Sequence, residues 1–238
     1  MRAHPAAGPA RPAALAATNQ NQNDGSRMSR VDPLRQPLQA RSVASYGRLI
    51  AAAREILAEK SFDDATVAEI AERAGLTVGA FYARFTDKEA LLRHLEELLF
   101  DAMRSVVEHI ATRAEGRAPA SLVRDLSTAL VRIYRRQRAV ARALVLRSHS
   151  DPALAERLRA LNRENMRKVI AALLASGQIR HAVPERAVWF ALHAQRALLR
   201  DAILFGDGWA GDRRPSDARL VDESTRLVAA YLGFAEGA

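Results

Sequence analysis

An all-α fold in two parts is predicted: a small N-terminal unit of three helices built around a helix-turn-helix, and a larger helical bundle behind it. Three observations predict it. Alanine, leucine and arginine dominate the 238 residues, while aromatic residues make up only 5%, a composition that favours helices over sheets. Apolar residues recur at i, i+3, i+4 and i+7 along most of the chain, the period of a helix with one buried face. Finally, the stretch Thr66 to Lys88, TVAEIAERAGLTVGAFYARFTDK, reads as two short helices joined by a glycine-containing turn.

In chain order, residues 1–40 hold five prolines, an Asn/Gln tract and few bulky apolar side chains. They lack the apolar surface that offsets the entropy of ordering and read as a disordered tail. The segment does not read as a signal peptide, and Met28 offers an alternative start. The other reading of its arginines, together with Arg41, is a basic arm touching the minor groove or phosphates. The first folded helix is expected from about Arg41 to Lys60, with Tyr46, Leu49, Ile50, Ala53, Ile56 and Leu57 as its apolar stripe. Phe62 lies in the loop that follows and is expected to plug the small core. Thr66 and Glu69 have the spacing of a capping box, and Val67, Ile70, Ala71 and Ala74 share one helical face. Gly75 suits the left-handed residue that ends this helix. Thr77 is a good cap for the next, and Phe81 and Phe85, four apart, point to a common core. Asp87 caps a long helix running to about Arg113. Its 26 residues would span roughly 39 Å at the α-helical rise, enough to begin in the first unit and end in the second.

The break at Glu115-Gly116-Arg117-Ala118-Pro119 opens the second part. Leu122, Leu126, Leu130 and Ile133 mark one helix, and Val140, Leu144 and Val145 another. Asp151-Pro152 is a cap followed by proline at the first helical position, starting a helix that continues to Gly177. Pro184 opens the next, to about 206. A polar loop covers 206–216, and a last helix spans about 217–234. The expected domains are therefore a tail (1–40), a helix-turn-helix unit (41–88, the motif at about 65–84) and a helical domain (89–238).

A helix-turn-helix places its second helix in the DNA major groove. Val78, Gly79 and Ala80 at the start of that helix are small enough for close approach to base edges and thymine methyls. Thr66 and Thr77 stand at helix N-termini, and Tyr82, Arg84 and Lys88 supply phosphate contacts. The alternative is an αα-hairpin inside an ordinary bundle. The run from Tyr46 to Leu92 resembles the DNA-binding domain of TetR/AcrR-family transcriptional regulators. The match lies in LIAAAREILAEKSF, the Ala74-Gly75 turn, Phe81-Tyr82, Phe85, Lys88-Glu89 and Leu91-Leu92; beyond it the chain matches that family in architecture alone. The resemblance implies a C-terminal domain that dimerises and holds an effector pocket. It also implies a homodimer bundle made by the helices at about 184–206 and 217–234, a double-stranded DNA operator and an unknown small-molecule effector. Tyr134, Trp189, Phe190, His193, Arg196 and Phe205 are the candidate effector-site residues, and each also reads as plain core or interface.

Charge and composition bound the function. The formal net charge of +9 divides into +3 over residues 1–40, 0 over 41–88 and +6 over 89–238. Global charge favours a polyanion, but the reading head is neutral, so its affinity must rest on placed contacts and on being presented twice. With no cysteine there is no disulfide or thiolate chemistry, and a cytoplasmic, nucleoid-associated protein is expected. No apolar run approaches the ~18 residues of a membrane span. The histidines form no HxxxH or HExxH pattern, so no metal, cofactor or catalytic site is expected. Adjacent acids Glu96-Glu97 and Asp222-Glu223 read as solvated surface. Eight arginines between 117 and 147 suggest either an anionic effector pocket or, preferred because their helical angles diverge, a solvated surface. The expected function is a ligand-responsive repressor. Its rivals are an activator or dispersed DNA binder with the same head, and a helical ligand-binding module whose helix-turn-helix is only structural.

Overall fold

The computed structural model describes residues 35–206 and 215–234, with side chains described from Ser42 onward. The readings of residues 1–34 as tail or arm, and of the Arg41 side chain as a DNA contact, lie outside the described residues. Among the described residues the protein is entirely helical. α1 spans Arg35–Glu59 and begins six residues before the expected Arg41. Pro37 falls in its first turn, where the missing N–H is no loss, so the proline that suggested a tail is compatible with a helix start.

α2 (Val67–Arg73) and α3 (Val78–Tyr82) form the predicted short pair. α4 (Lys88–Thr112) is the long helix, about 37 Å at the α-helical rise, capped by Asp87 accepting from the Ala90 N–H at 2.6 Å. α5 (Pro119–Arg136) and α6 (Arg138–Arg147) meet at Gln137, and α7 (Pro152–Leu174) starts where Asp151 accepts from the Leu154 N–H at 2.9 Å. α8 (Pro184–Leu204) and α9 (Asp217–Leu232) close the bundle, the last ending at Gly233 in the left-handed region. Pro119, Pro152 and Pro184 each stand at a first helical position, where a fixed φ and a missing donor suit the helix.

The core explains how these helices are held. Leu49, Ile56, Ile70, Phe81, Leu91 and Leu95 are buried together around α1 to α4. The same apolar cluster runs on through Val131, Ile133, Val140, Leu144, Leu199 and Ile203 of α5, α6 and α8. A second cluster joins α4, α5, α7, α8 and α9 around Leu122, Leu173, Val188, Leu192 and Val228. The three-helix unit thus lacks a separate core: its apolar interior is continuous with that of the larger domain.

Glu96 departs from the sequence reading. Beside Glu97 it reads as solvated surface, yet it is 2% exposed and its carboxylate accepts from Arg157 Nε at 2.6 Å and Nη2 at 2.9 Å. Two neighbouring acids on a helix look alike in sequence; the packing of α7 on α4 buries one of them. Asp222 is half-buried and Glu223 exposed, and they pair with Arg124 at 2.6 Å and Arg226 at 2.9 Å. Arg117 pairs likewise at the surface with Asp125, and Arg135 with Asp217, both at 2.8 Å.

Candidate nucleic-acid interface

The reading head is built by local chemistry. Thr66 caps α2: its hydroxyl accepts from the Glu69 N–H at 3.2 Å while the Glu69 carboxylate accepts from the Thr66 N–H at 2.9 Å, the reciprocal arrangement of a capping box. Lys60 donates to the same carboxylate at 2.5 Å. Lys60 first, then the Thr66 N–H and hydroxyl, hold the Glu69 carboxyl at about 2, well below its ordinary 4.5. A depressed folded-state pKa means that the interaction is present above the unfolded value and is lost as pH falls through the folded one. The capping box is therefore expected to persist when ordinary glutamates protonate and to fail only toward pH 2. A carboxyl-carbon NMR titration reads this; a Glu69 midpoint near 4.5 would refute the arrangement.

The α2–α3 turn is a Schellman motif. The Leu76 N–H donates to the Ala71 carbonyl at 2.8 Å and the Gly75 N–H to Glu72 at 2.9 Å, with Gly75 at φ 62°. A side chain there would be strained. Thr77 then caps α3 by accepting from the Ala80 N–H at 3.1 Å. Phe81 is fully buried and lies 5.6 Å from Phe85, whose ring is 5.8 Å from His94. His94 in turn shares a 2.5 Å hydrogen bond with Tyr46. This aromatic chain from α3 through α4 to α1 fixes the tilt of a helix too short to be stable alone.

With Phe81 anchored inward, the opposite face of α3 is open. Val78 is 43% and Tyr82 54% exposed, and Thr77 and Gly79 are exposed beside them. These four and the half-buried Ala80 are brought together as expected. Two of the expected phosphate contacts are differently engaged, and Thr66 uses its hydroxyl in the capping box. Lys88 donates to the carbonyls of Phe62, Asp63 and Ala65 at 3.2, 2.8 and 3.0 Å and lies 5.0 Å from the Phe62 ring. All three ammonium protons are occupied, so Lys88 clamps the loop before α2 and has no donor left for phosphate. Arg84 donates to the Ser42 carbonyl, to the Ser42 hydroxyl at 2.7 Å and to the Ser45 hydroxyl at 3.1 Å, tying the end of α3 to α1. Arg73 likewise holds α2 to α1 through both oxygens of Glu59, at 2.8 and 2.9 Å. The cation beside the turn is Arg48, exposed, with a guanidinium nitrogen 3.7 Å from where a Gly75 side chain would begin. The sequence allows Arg48, like Ser42, a phosphate contact from the bracing helix; its approach to the turn depends on how α1 crosses α2.

A cavity of about 370 Å³ lies in the larger domain, walled by α4, α5, α6, α7 and α8. Tyr134 and Arg196 line it, as expected of an effector site. Trp189, Phe190 and His193 do not. Trp189 and Phe190 are exposed on the outer side of α8, where His193 stacks on Trp189 at 5.1 Å and Phe190 meets Tyr231 of α9 at 5.6 Å. Along α8 these residues alternate with the buried Val188, Ala191 and Leu192, so the helical period sends the aromatic face away from the cavity. Burial, then Arg196 and Arg200, pushes the His193 pKa down. Phe205 lies 6.0 Å from the Arg142 guanidinium and also stands apart from the cavity. Leu99, Met103, Leu158, Asn165, Met166 and Arg200 complete much of the wall. They come from separate helices, so no local motif marks them. Among the described residues no helix is long and apolar enough to cross a membrane.

A capped two-helix unit that buries one face of its second helix and exposes small residues on the other, mounted on an all-helical body, belongs to the helix-turn-helix class of DNA-binding proteins. Residues 49–95 match the family model described as bacterial regulatory proteins, tetR family. A curated relative, the uncharacterized HTH-type transcriptional regulator YvdT of Bacillus subtilis (strain 168), is 37% identical over 54 residues, 23% of this chain and 28% of YvdT. The chain thus matches little more than a quarter of that relative's length. The solved structure of the TetR-family regulator PfmR from Thermus thermophilus superposes with a TM-score of 0.61 at 20% identity, covering 80% of this chain and all of PfmR. A tetR-family regulatory protein from Rhodococcus RHA1 gives a TM-score of 0.57 at 26% identity over 78% of this chain and 96% of its own. The family model and these neighbours are described as regulatory proteins or transcriptional regulators.

Proposed function

We propose that this chain is a ligand-responsive transcriptional regulator, acting as a cytoplasmic repressor that binds a palindromic operator as a homodimer. The observation that carries the proposal is the link between cavity and reading head. Ser148 and His149 line the cavity. The preceding residue, Arg147, ends α6 and donates to Asp63 at 3.1 Å and Glu89 at 3.0 Å. Its guanidinium lies 5.0 Å from the Phe62 ring that Lys88 also approaches. A ligand that shifts the end of α6 therefore pulls on the loop before α2 and on the first turn of α4. In a dimer that shift changes the separation of the two α3 helices, and a few kcal/mol of differential affinity is enough to change the population. The exposed aromatic side of α8, continued by Leu227 and Tyr231 on α9, supports a homodimer built on these two helices.

At the DNA, Val78, Gly79 and Ala80 approach the bases while Thr77, Tyr82 and Arg48 reach phosphates. The test is selection of random double-stranded DNA on the purified chain. A palindrome with half-sites about one helical turn, roughly 34 Å, apart is expected; enrichment of no sequence would overturn the proposal. On the selected site, Tyr82→Phe and Arg48→Ala are each expected to weaken binding to all sequences, and Arg48→Ala to lower the salt slope by about one. Lys88→Ala should instead destabilise the fold and leave the slope of the folded fraction unchanged.

A further inference from the structure

We infer that the cavity takes an apolar ligand bearing one anionic oxygen group, with Arg196 and Arg200 of α8 as its counter-ions. The inference rests on the ligand-responsive reading and specifies the ligand's chemistry. Much of the wall is apolar: Leu99, Met103, Val106, Leu158 and Met166 contribute to it. Arginines 159, 196 and 200 also line it, and among the described residues no aspartate or glutamate does. Arg159 has its own partner, Glu156, at 2.9 Å. Arg196 and Arg200 make no ion pair among the described residues, and the Nε of each is buried without a hydrogen-bond partner. They stand four apart on one helix, so their like charges face the same way.

Burying a cation without a partner is costly, and a guanidinium cannot shed its proton to escape the cost. Burial, opposed by the neighbouring Tyr134 and aided by Arg200, pushes the Arg196 pKa down, the direction expected of a site short of negative charge. Tyr134 itself is raised by burial, so its phenol stays neutral and offers a donor rather than a counter-ion. A carboxylate or phosphate supplies what is missing, because its oxygens match the guanidinium fork. A cationic ligand meets repulsion from both arginines, and a ligand without an acceptor oxygen leaves the buried Nε–H of each unsatisfied. The volume of about 370 Å³ is at the lower end of small-molecule sites, so the apolar body is of modest length.

The probe is dodecanoate, titrated into the full chain by calorimetry, with dodecan-1-ol as the uncharged body of the same length. Dodecanoate is expected to bind at least about tenfold more tightly than the alcohol, since only the anion forms charge-assisted hydrogen bonds. The Arg196→Met/Arg200→Met double variant is expected to lose that margin, keep the alcohol's affinity and melt at a higher temperature than the parent without ligand, because two half-buried like charges without a counter-ion are gone. The single change Arg196→Gln gives a milder version of the same readings if the double variant fails to fold. Equal affinity for acid and alcohol, no binding of dodecanoate, or full dodecanoate affinity in the Arg196→Gln variant would each overturn the inference. The two readings separate on DNA. If dodecanoate binds through the arginines without altering affinity for the selected site, the ligand chemistry stands and ligand control of this operator falls. If a compound of another class releases the DNA while dodecanoate fails to bind, the inference falls and the regulator reading stands.

Discussion

Phe81→Ala is expected to destabilise the protein by about 3–5 kcal/mol, the range for truncating a fully buried phenylalanine. Its side chain has no exposed surface and packs beside Phe85 and Tyr82 at centroid distances of 5.6 and 5.5 Å. α3 has only five residues, too few to form a helix without tertiary support, so the lost ring cannot be replaced by local propensity. Because the apolar cluster around α3 continues into α5, α6 and α8, the loss should lower the denaturation midpoint of the whole chain rather than melt a separate domain. Urea unfolding followed by circular dichroism reads this. The adjacent Tyr82→Ala is the control: at 54% exposure, it should change stability by no more than about 0.5 kcal/mol while weakening DNA binding. A small effect of Phe81→Ala, or an early transition confined to the reading head, would contradict the shared core.

The second large effect is expected at Arg157. Removing one partner of a buried ion pair costs about 3–5 kcal/mol when both charges are sealed from water. Here the Glu96 side chain is 3% exposed but Arg157 is 43% exposed, and water entering over the truncated site reduces the cost of Arg157→Ala to about 1–3 kcal/mol. The hydrogen bond to Glu96 raises the Arg157 pKa, so the guanidinium stays charged wherever the protein is folded. Glu96→Gln/Arg157→Ala should recover part of the loss, because the neutral amide needs no counter-ion. A double-mutant cycle by thermal melting checks this, and additive losses would show that the two side chains do not act as a pair. The pair joins α4 to α7, two helices that wall the cavity, so the double variant also tests whether that junction sets ligand affinity.

The reading head was legible because its determinants are local. A cap and its partner lie three residues apart, a left-handed turn needs glycine at Gly75, and an anchor pair lies four apart at Phe81 and Phe85. Each is a short-range relation that sequence spacing states directly. Helix starts at Asp87, Asp151-Pro152 and Pro184 were legible for the same reason. The start of α1 was misplaced because proline in a first turn and proline in a tail are the same letter.

What the sequence by itself determined is therefore the all-helical class, the helix-turn-helix, the face that α3 exposes and the family resemblance. Tertiary structure alone decided where the charges and aromatics went. Lys88 and Arg84 carry the right charge for phosphate, yet carbonyls from residues 62–65 occupy the donors of Lys88 and Ser42 and Ser45 engage one terminal nitrogen of Arg84. Glu96 is buried by a helix some sixty residues away in the chain, and Trp189 and Phe190 are turned outward by the packing of α8. The cavity draws its wall from helices far apart in the chain, and the isolation of Arg196 and Arg200 is a property of everything that does not pack beside them. The physical reason is range: caps and turns are made by neighbours in sequence, whereas burial and ion pairing are made by neighbours in space.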